Sequence, residues 1–288
     1  MEYYISLIGI ILLLFSLFNN NKDSIIIGII IRWTRWALIS LLVPYIILQI
    51  GWAQINYWRF FAICFLSWFL LESLYNWFAI KALSFSEVSL FPQYREMDKS
   101  GSWPTDNRFR KTKSWLQNNG FILEKSLFTP ITDLLRLRCL IYQNLEKTIR
   151  LQIFFFPFRK NTIAMNISFQ SVCSSQETIM TDNLSIPFGG YFPEKWTLNR
   201  FPKIRSIQSI YKKHQSILKK LNKQGKVFQD DALTYINQQQ IELESCNEKN
   251  GFLVNRNDRN AHGQLTDEGR YRVWREIWFL SYLGISLS

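Results

Sequence analysis

The feature that most constrains this chain is an abrupt change in character near residue 83. Residues 1–83 are almost continuously apolar, whereas residues 84–288 are polar and basic. The net charge is +12, of which +10 lies beyond residue 83. The mean hydropathy of -0.06 therefore averages an apolar segment with a water-soluble one. A hydrophobic content of 48% excludes disordered, collagen-like and disulfide-scaffold proteins.

The apolar segment contains candidates for transmembrane helices. A bilayer core of about 30 Å is spanned by about 20 helical residues. Two stretches reach about that length and a third is shorter, so we expect a transmembrane region over 1–83 with two or three spans. The candidate spans are residues 3–18, 36–53 and 60–82.

A pair of arginines precedes the second candidate span. Arg32 and Arg35 are three residues apart and are flanked by tryptophans, so on a helix they share one face and form an interfacial anchor. Residues 25–31 are too few to cross a bilayer. They either lie along the membrane surface or extend the following helix.

The distribution of basic residues predicts the orientation. Lys22, Arg32 and Arg35 flank one side of the hairpin, only Arg59 falls in the short loop on the other side, and several basic residues follow the last span. By the positive-inside rule the large domain is cytoplasmic. We expect an integral protein of a bacterial inner membrane.

The four cysteines form no CxxC pair, which fits a reducing compartment. No metal or other cofactor is expected.

An ionisable side chain lies inside the last candidate span. Glu72 sits near its middle, with Asn76 one helical turn away. A charge at bilayer depth is costly and often functional, so Glu72 is a candidate for a proton or ligand relay. Alternatively, Glu72 hydrogen-bonds to a neighbouring helix or a partner subunit.

The polar part has the pattern of an α+β domain. A helix over about 106–118 is followed by four or five strands in which apolar and polar residues alternate, as in an antiparallel β-meander with one buried and one wet face. A helix over 204–223, with an apolar stripe, is expected to cover the buried face. The predicted divisions are a linker at 84–104, the α+β domain at 105–226, and a helical C-terminal extension at 227–288 that ends in an amphipathic helix starting after Thr266.

Between the meander and the covering helix lies a loop rich in proline, glycine and aromatic residues. One interpretation is that its aromatic side chains contact a protein partner or insert at the membrane interface. The other is that the loop covers the open edge of the sheet. The aromatic residues are Phe188, Tyr191, Phe192 and Trp196.

The covering helix is strongly basic. Its lysines form a solvated face or contact anionic lipid head groups. Nucleic acid is an unlikely partner, because the one aromatic residue here, Tyr211, lies on the core stripe. The lysines are Lys212, Lys213, Lys219, Lys220 and Lys223.

No phosphate loop, dinucleotide fingerprint or hydrolase motif occurs. His214 lies on the apolar stripe and is interpreted as a core residue, and His262 has no partner at metal-ligand spacing. Asp230 and Asp231 are interpreted as a helix cap.

The sequence therefore favours a membrane-anchored, non-enzymatic binding or assembly protein that presents a basic domain to a protein partner or self-associates at the membrane. The alternative is a membrane-bound enzyme acting on a lipid or lipid-linked substrate.

Overall fold

The computed structural model describes residues 24–52, 56–86, 88–97, 103–131, 136–158, 162–258 and 264–287, together with five helical positions between residues 7 and 14. The first candidate span, residues 3–18, lies largely outside the described residues, as does His262.

Two long helices form an N-terminal hairpin. Helix α1 spans Ile25–Gln49 and α2 spans Tyr57–Ser84, and both are long and apolar enough to cross a membrane. The side chain of Ser24 caps α1, so the short apolar stretch before Arg32 extends the following helix, which was one of the two alternatives. The helices meet through stacked rings, with the centroids of Trp36 and Phe65 4.6 Å apart.

The polar part folds around a seven-stranded sheet in which the strands follow sequence order. All neighbouring strands are antiparallel except the last pair, which is parallel because the chain crosses back over the sheet before it enters β7. An α+β fold with an antiparallel meander is thereby confirmed, and a short strand is added at each edge. The strands are β1 Arg95–Glu96, β2 Ile122–Pro130, β3 Arg136–Gln143, β4 Arg150–Phe158, β5 Thr162–Val172, β6 Thr178–Asp182 and β7 Trp196–Arg200.

One face of the sheet is apolar and is covered by two helices. Helix α3, Asn107–Asn118, and helix α4, Ile207–Lys220, pack on this face. They bury Leu116 and Ile210 against Leu151 and its neighbours on β4. Helix α4 is therefore the expected cover.

The opposite face is also covered, which corrects the expectation of a wet face. Helix α5, Ala232–Lys249, lies across it and packs Ile236 against Leu127 and Ile141. The polar residues that pointed to solvent in the sequence pattern are buried beneath this helix, including Asn166 and Gln170 at 3% exposure each. The amide of Gln170 has a polar partner on α5, since Nε2 of Gln239 donates to its Oε1, which is why its burial is tolerated.

The C-terminal segment returns to the hairpin. Helix α6, Asp267–Trp278, is capped by Thr266 as predicted and continues into one π-helical turn, Phe279–Leu283. Helix α6 packs on α2, and the π-helical turn packs on α1. At the base of this contact the Ser84 hydroxyl accepts a hydrogen bond from the Leu265 amide at 2.9 Å.

Candidate functional site

Polar and aromatic side chains converge where the C-terminal π-helical turn meets the hairpin, a place we call the hairpin junction. The hydroxyl of Tyr282 donates a hydrogen bond to Oε2 of Glu72. The indole Nε1 of Trp68 donates to the same oxygen at 3.1 Å. Burial, followed by the neighbouring Glu72, raises the pKa of Tyr282, so its hydroxyl keeps the proton that it donates. Glu72 thus acts as a hydrogen-bond acceptor for the C-terminal segment.

The arginine pair lies at the same level. Nη1 of Arg32 donates to the carbonyl of Ser281 at 2.9 Å, and the indole of Trp33 donates to the carbonyl of Tyr282 at 2.9 Å. The guanidinium of Arg35 lies 6.0 Å from the ring centroid of Trp68. These donors satisfy carbonyl groups that a terminal helical turn leaves without partners. The predicted anchor therefore also binds the C-terminal segment.

Stacked rings fill the space around these hydrogen bonds. Trp36 is buried, with 4% of its surface exposed, and it stacks on Trp33 with the two ring centroids 5.3 Å apart. Trp278 stacks on Tyr282 with centroids 4.7 Å apart. Asn76 lies one turn beyond Glu72 on α2 and is half-buried. The junction is therefore a packed aromatic cluster with polar groups at its centre.

The aromatic loop packs against the rest of the protein with its four aromatic side chains half-buried, and it joins the domain to the C-terminal helices. Phe188 and Tyr191 pack in a cluster with Phe252 and with Ile80 at the end of α2. The side chain of Asn247 on α5 holds the loop backbone, accepting from the amide of Tyr191 and donating to its carbonyl, both at 2.8 Å.

The same loop approaches α6 closely. Gly189 has φ +70°, and its carbonyl accepts a hydrogen bond from Nε of Arg272 at 2.7 Å. The guanidinium of Arg272 also lies 3.9 Å from the ring centroid of Tyr191. Phe192 and Trp196 continue the loop toward the covered polar face of the sheet.

Helix α4 presents its four lysines to solvent: Lys212, Lys213, Lys219 and Lys220 are exposed. Lys223, which the sequence predicted to lie on the same helix, follows its end and forms an ion pair with Glu177. The ammonium of Lys213 lies 5.6 Å from the ring centroid of Phe201. The exposed charge is therefore concentrated on the outer face of α4.

His214 is fully buried beneath the same helix, as the sequence predicted. Its Nδ1 lies 2.9 Å from the hydroxyl of Thr181 and its Nε2 lies 3.1 Å from the hydroxyl of Ser171. Burial lowers the pKa of His214 to about 4, so the ring is neutral at physiological pH. The Ser171 hydroxyl donates to the carbonyl of Thr148, so Nε2 carries the hydrogen and Nδ1 accepts from Thr181. The imidazole joins α4 to β5 and β6.

Sequence reasoning missed Tyr282, Asn247 and Arg272 as parts of these contacts. Glu72 and Tyr282 are separated by 210 residues, and no local pattern relates them. The one available signal is the density of aromatic residues near the end of the chain, which by itself predicts only an amphipathic helix.

Comparison of this chain with protein-family models, with curated proteins and with solved structures finds no match. A functional assignment therefore depends on the contacts described above and on the surface that they leave exposed.

Proposed function

We propose that this chain is a membrane-anchored binding or assembly protein, in which the hairpin is the anchor and the α+β domain is held in a fixed orientation on the cytoplasmic side. The observation that carries the proposal is the surface of the hairpin. Over the 25 residues of α1 and the 28 of α2, the buried side chains are only Trp36, Ser40, Pro44, Ile80 and Ser84. An apolar surface of that extent is not tolerated in water, but it is the normal surface of a helix in lipid.

The distance of the charged residues from the loop of the hairpin supports a hairpin that crosses the membrane. A helix rises about 1.5 Å per residue, so Glu72 lies about 23 Å from the start of α2 at Tyr57. Arg32 and Arg35 lie at a similar distance from the far end of the hairpin. With the loop at one surface of a core of about 30 Å, the hairpin junction lies near the opposite surface, where tryptophan, tyrosine and arginine are favoured. With the bilayer placed in this way, Glu72, which lies near the middle of α2, is closer to the membrane surface on the domain side than to the surface at the loop.

The fixed orientation is supported by three separate contacts between hairpin and domain. The first is the hairpin junction around Glu72. The second is the aromatic cluster that includes Ile80 and Phe188. In the third, Gly284 approaches the side chains of both Lys203, before α4, and Ile29 on α1. Contacts made by the C-terminal turn and by the aromatic loop together restrain rotation of the domain about the anchor.

The exposed lysines of α4 are the surface we assign to an acidic protein partner. Charges on an exposed, ordered helix steer association and set its salt dependence. The aromatic loop is assigned to internal packing instead, because Asn247 and Arg272 hold its backbone.

Two experiments test this proposal. The first extracts membranes at alkaline pH and follows the full chain, which is expected to stay in the lipid fraction and to leave only with detergent.

The second experiment places a photo-crosslinking amino acid at Gln215 on α4 or, as a control, at Glu242 on α5. A single adduct from Gln215, lost when the four exposed lysines are changed to glutamine, supports the proposal. Release at alkaline pH, or no adduct from either position, contradicts it.

A further inference from the structure

A cavity of about 130 Å³ lies between the polar face of the sheet and α5. Strands β4, β5, β6 and β7 form its floor, α5 forms one wall, and the aromatic loop forms another. The function proposed above makes no use of this cavity.

One side of the cavity is built from side-chain amides. Nε2 of Gln239 on α5 donates to Oε1 of Gln170 at 3.2 Å, and Gln152 lies 3.5 Å from Gln239. Asn166 is 3% exposed and lines the cavity, and its Oδ1 has no hydrogen-bond partner among the described residues. A buried acceptor of this kind costs about 1–3 kcal/mol unless a ligand or an ordered water donates to it.

The charged groups in the wall neutralise each other. Nε of Arg200 donates to Oδ1 of Asp182 at 3.0 Å, and the backbone amide of Leu184 donates to the same carboxylate at 3.1 Å. Both ionic side chains are at most 9% exposed. The cavity therefore offers no unbalanced charge among the groups that line it, and an uncharged ligand fits it better than an ion.

The other side is apolar and aromatic. Phe192 and Trp196 line it with Leu243, and both rings are half-buried. Their centroids are 6.5 Å apart and their planes are tilted by 38°. Two rings in this arrangement do not enclose a planar base between parallel faces, but either ring gives a single surface on which an apolar face can stack.

We infer that the cavity binds one hexopyranose ring, as a free sugar or as the exposed sugar of a glycolipid. A cavity of about 150 Å³ holds a molecule the size of benzene, so the cavity of about 130 Å³ here admits part of one six-membered ring, and the substituents of the sugar project past the half-buried rim. A pyranose has an apolar C–H face for Trp196 and hydroxyl groups that both donate and accept. One hydroxyl donates to Oδ1 of Asn166 once this amide, which is buried in the unliganded protein, turns toward the sugar, and others exchange hydrogen bonds with Gln170 and Gln239.

Binding is measured by titration calorimetry on the full chain in detergent, with D-glucose, D-galactose and D-mannose as probes and uracil as the planar comparison. At least one hexose is expected to bind saturably and uracil is not. Asn166→Leu and Trp196→Ala are expected to weaken that binding by about tenfold or more, whereas Trp196→Phe retains most of it. Tyr271→Phe, on the exposed side of α6, is the control and leaves it unchanged.

The source of the sugar is distinguished by vesicles that contain a monohexosyl diacylglycerol carrying the hexose that bound. If the protein binds these vesicles more tightly than it binds the free sugar, the site is assigned to a glycolipid, and equal affinity assigns it to a free sugar.

Absence of saturable binding of all three hexoses overturns the inference, since the cavity then holds only water. Binding of uracil, or unchanged binding by Asn166→Leu with an intact circular dichroism spectrum, overturns it equally.

Discussion

The hydroxyl of Tyr282 donates a hydrogen bond to the carboxylate of Glu72, which lies 210 residues earlier in the chain. This contact joins the π-helical turn Phe279–Leu283 to the middle of α2. It replaces water as the partner of a carboxylate that lies among apolar and aromatic side chains, which is the condition under which such a group is tolerated.

The first prediction concerns the strength of this contact. Tyr282→Phe keeps the ring and removes only the hydroxyl, so we expect the π-helical turn to be destabilised by about 1–3 kcal/mol. Hydrogen exchange of the amides in Phe279–Leu283 should then become about fivefold to about a hundredfold faster in lipid nanodiscs. Tyr271→Phe changes an exposed ring on α6 and should leave exchange unaltered. Equal exchange in the two variants would show that the hydrogen bond does not hold the segment.

A second prediction follows from the close approach of the aromatic loop to α6. A Cβ on Gly189 would lie 2.7 Å from the carbonyl carbon of Arg272, whereas a Cβ on Gly251 would meet nothing within 4 Å. Both glycines have positive φ, +70° and +73°, so either substitution by alanine costs about 1–2 kcal/mol of backbone strain. Only Gly189→Ala also forces the loop away from the helix, at about 1–3 kcal/mol more. Chemical unfolding should therefore rank Gly189→Ala as clearly the less stable variant, and equal stabilities would contradict the packing described here.

A third prediction is a pH dependence caused by His214. Its pKa is about 4 in the folded protein and 6.5 in the reference state, so the unfolded chain binds the proton first as the pH falls. Stability is complete above about pH 6.5 and decreases toward pH 4, with about 2 kcal/mol lost at pH 5. Unfolding measured at pH 7.5 and pH 5 should show this loss.

The matched variant is His214→Leu, which removes the titrating ring. It is expected to be less stable at pH 7.5, because Thr181 and Ser171 lose their partner, but less sensitive to acid than the natural chain. The comparison is needed because burial raises the pKa of Asp182, whose protonation at low pH acts in the opposite direction. An unchanged acid sensitivity would assign the effect to other groups.

A fourth prediction concerns the attachment of α5 to the sheet. Arg150 is 2% exposed, donates to both carboxylate oxygens of Glu124 and to the carbonyl of Asp230, and lies 4.5 Å from the ring centroid of Phe228. Arg150→Met leaves Glu124 without its partner and should cost about 2–4 kcal/mol of unfolding free energy, somewhat reduced because Glu124 retains contact with water.

The control for this variant is Lys125→Met. Lys125 pairs with Glu96 and Asp231 at the surface, so its replacement should change stability little. Protease cleavage between β7 and α6 is a second measurement, and it should increase for Arg150→Met alone. Similar losses for the two variants would show that the buried pair contributes no more than a surface pair.

Features that depend on residues close together in the chain were predictable from the amino-acid sequence. The apolar stretches predicted two membrane-length helices because length and composition are local properties. The alternation in β3, β4 and β5 predicted an antiparallel sheet, and Thr266 predicted the start of α6, because a cap and its helix are neighbours. The burial of His214 followed from its place on the apolar stripe of α4.

The tertiary structure alone decided which distant polar groups meet. Asn166 and Gln170 have the composition of a wet face, and only the position of α5 shows that they are buried with Gln239. Glu72 and Tyr282 likewise carry no local sign of their hydrogen bond. The physical reason is that a polar side chain is equally satisfied by water or by another side chain, so its type does not reveal its partner.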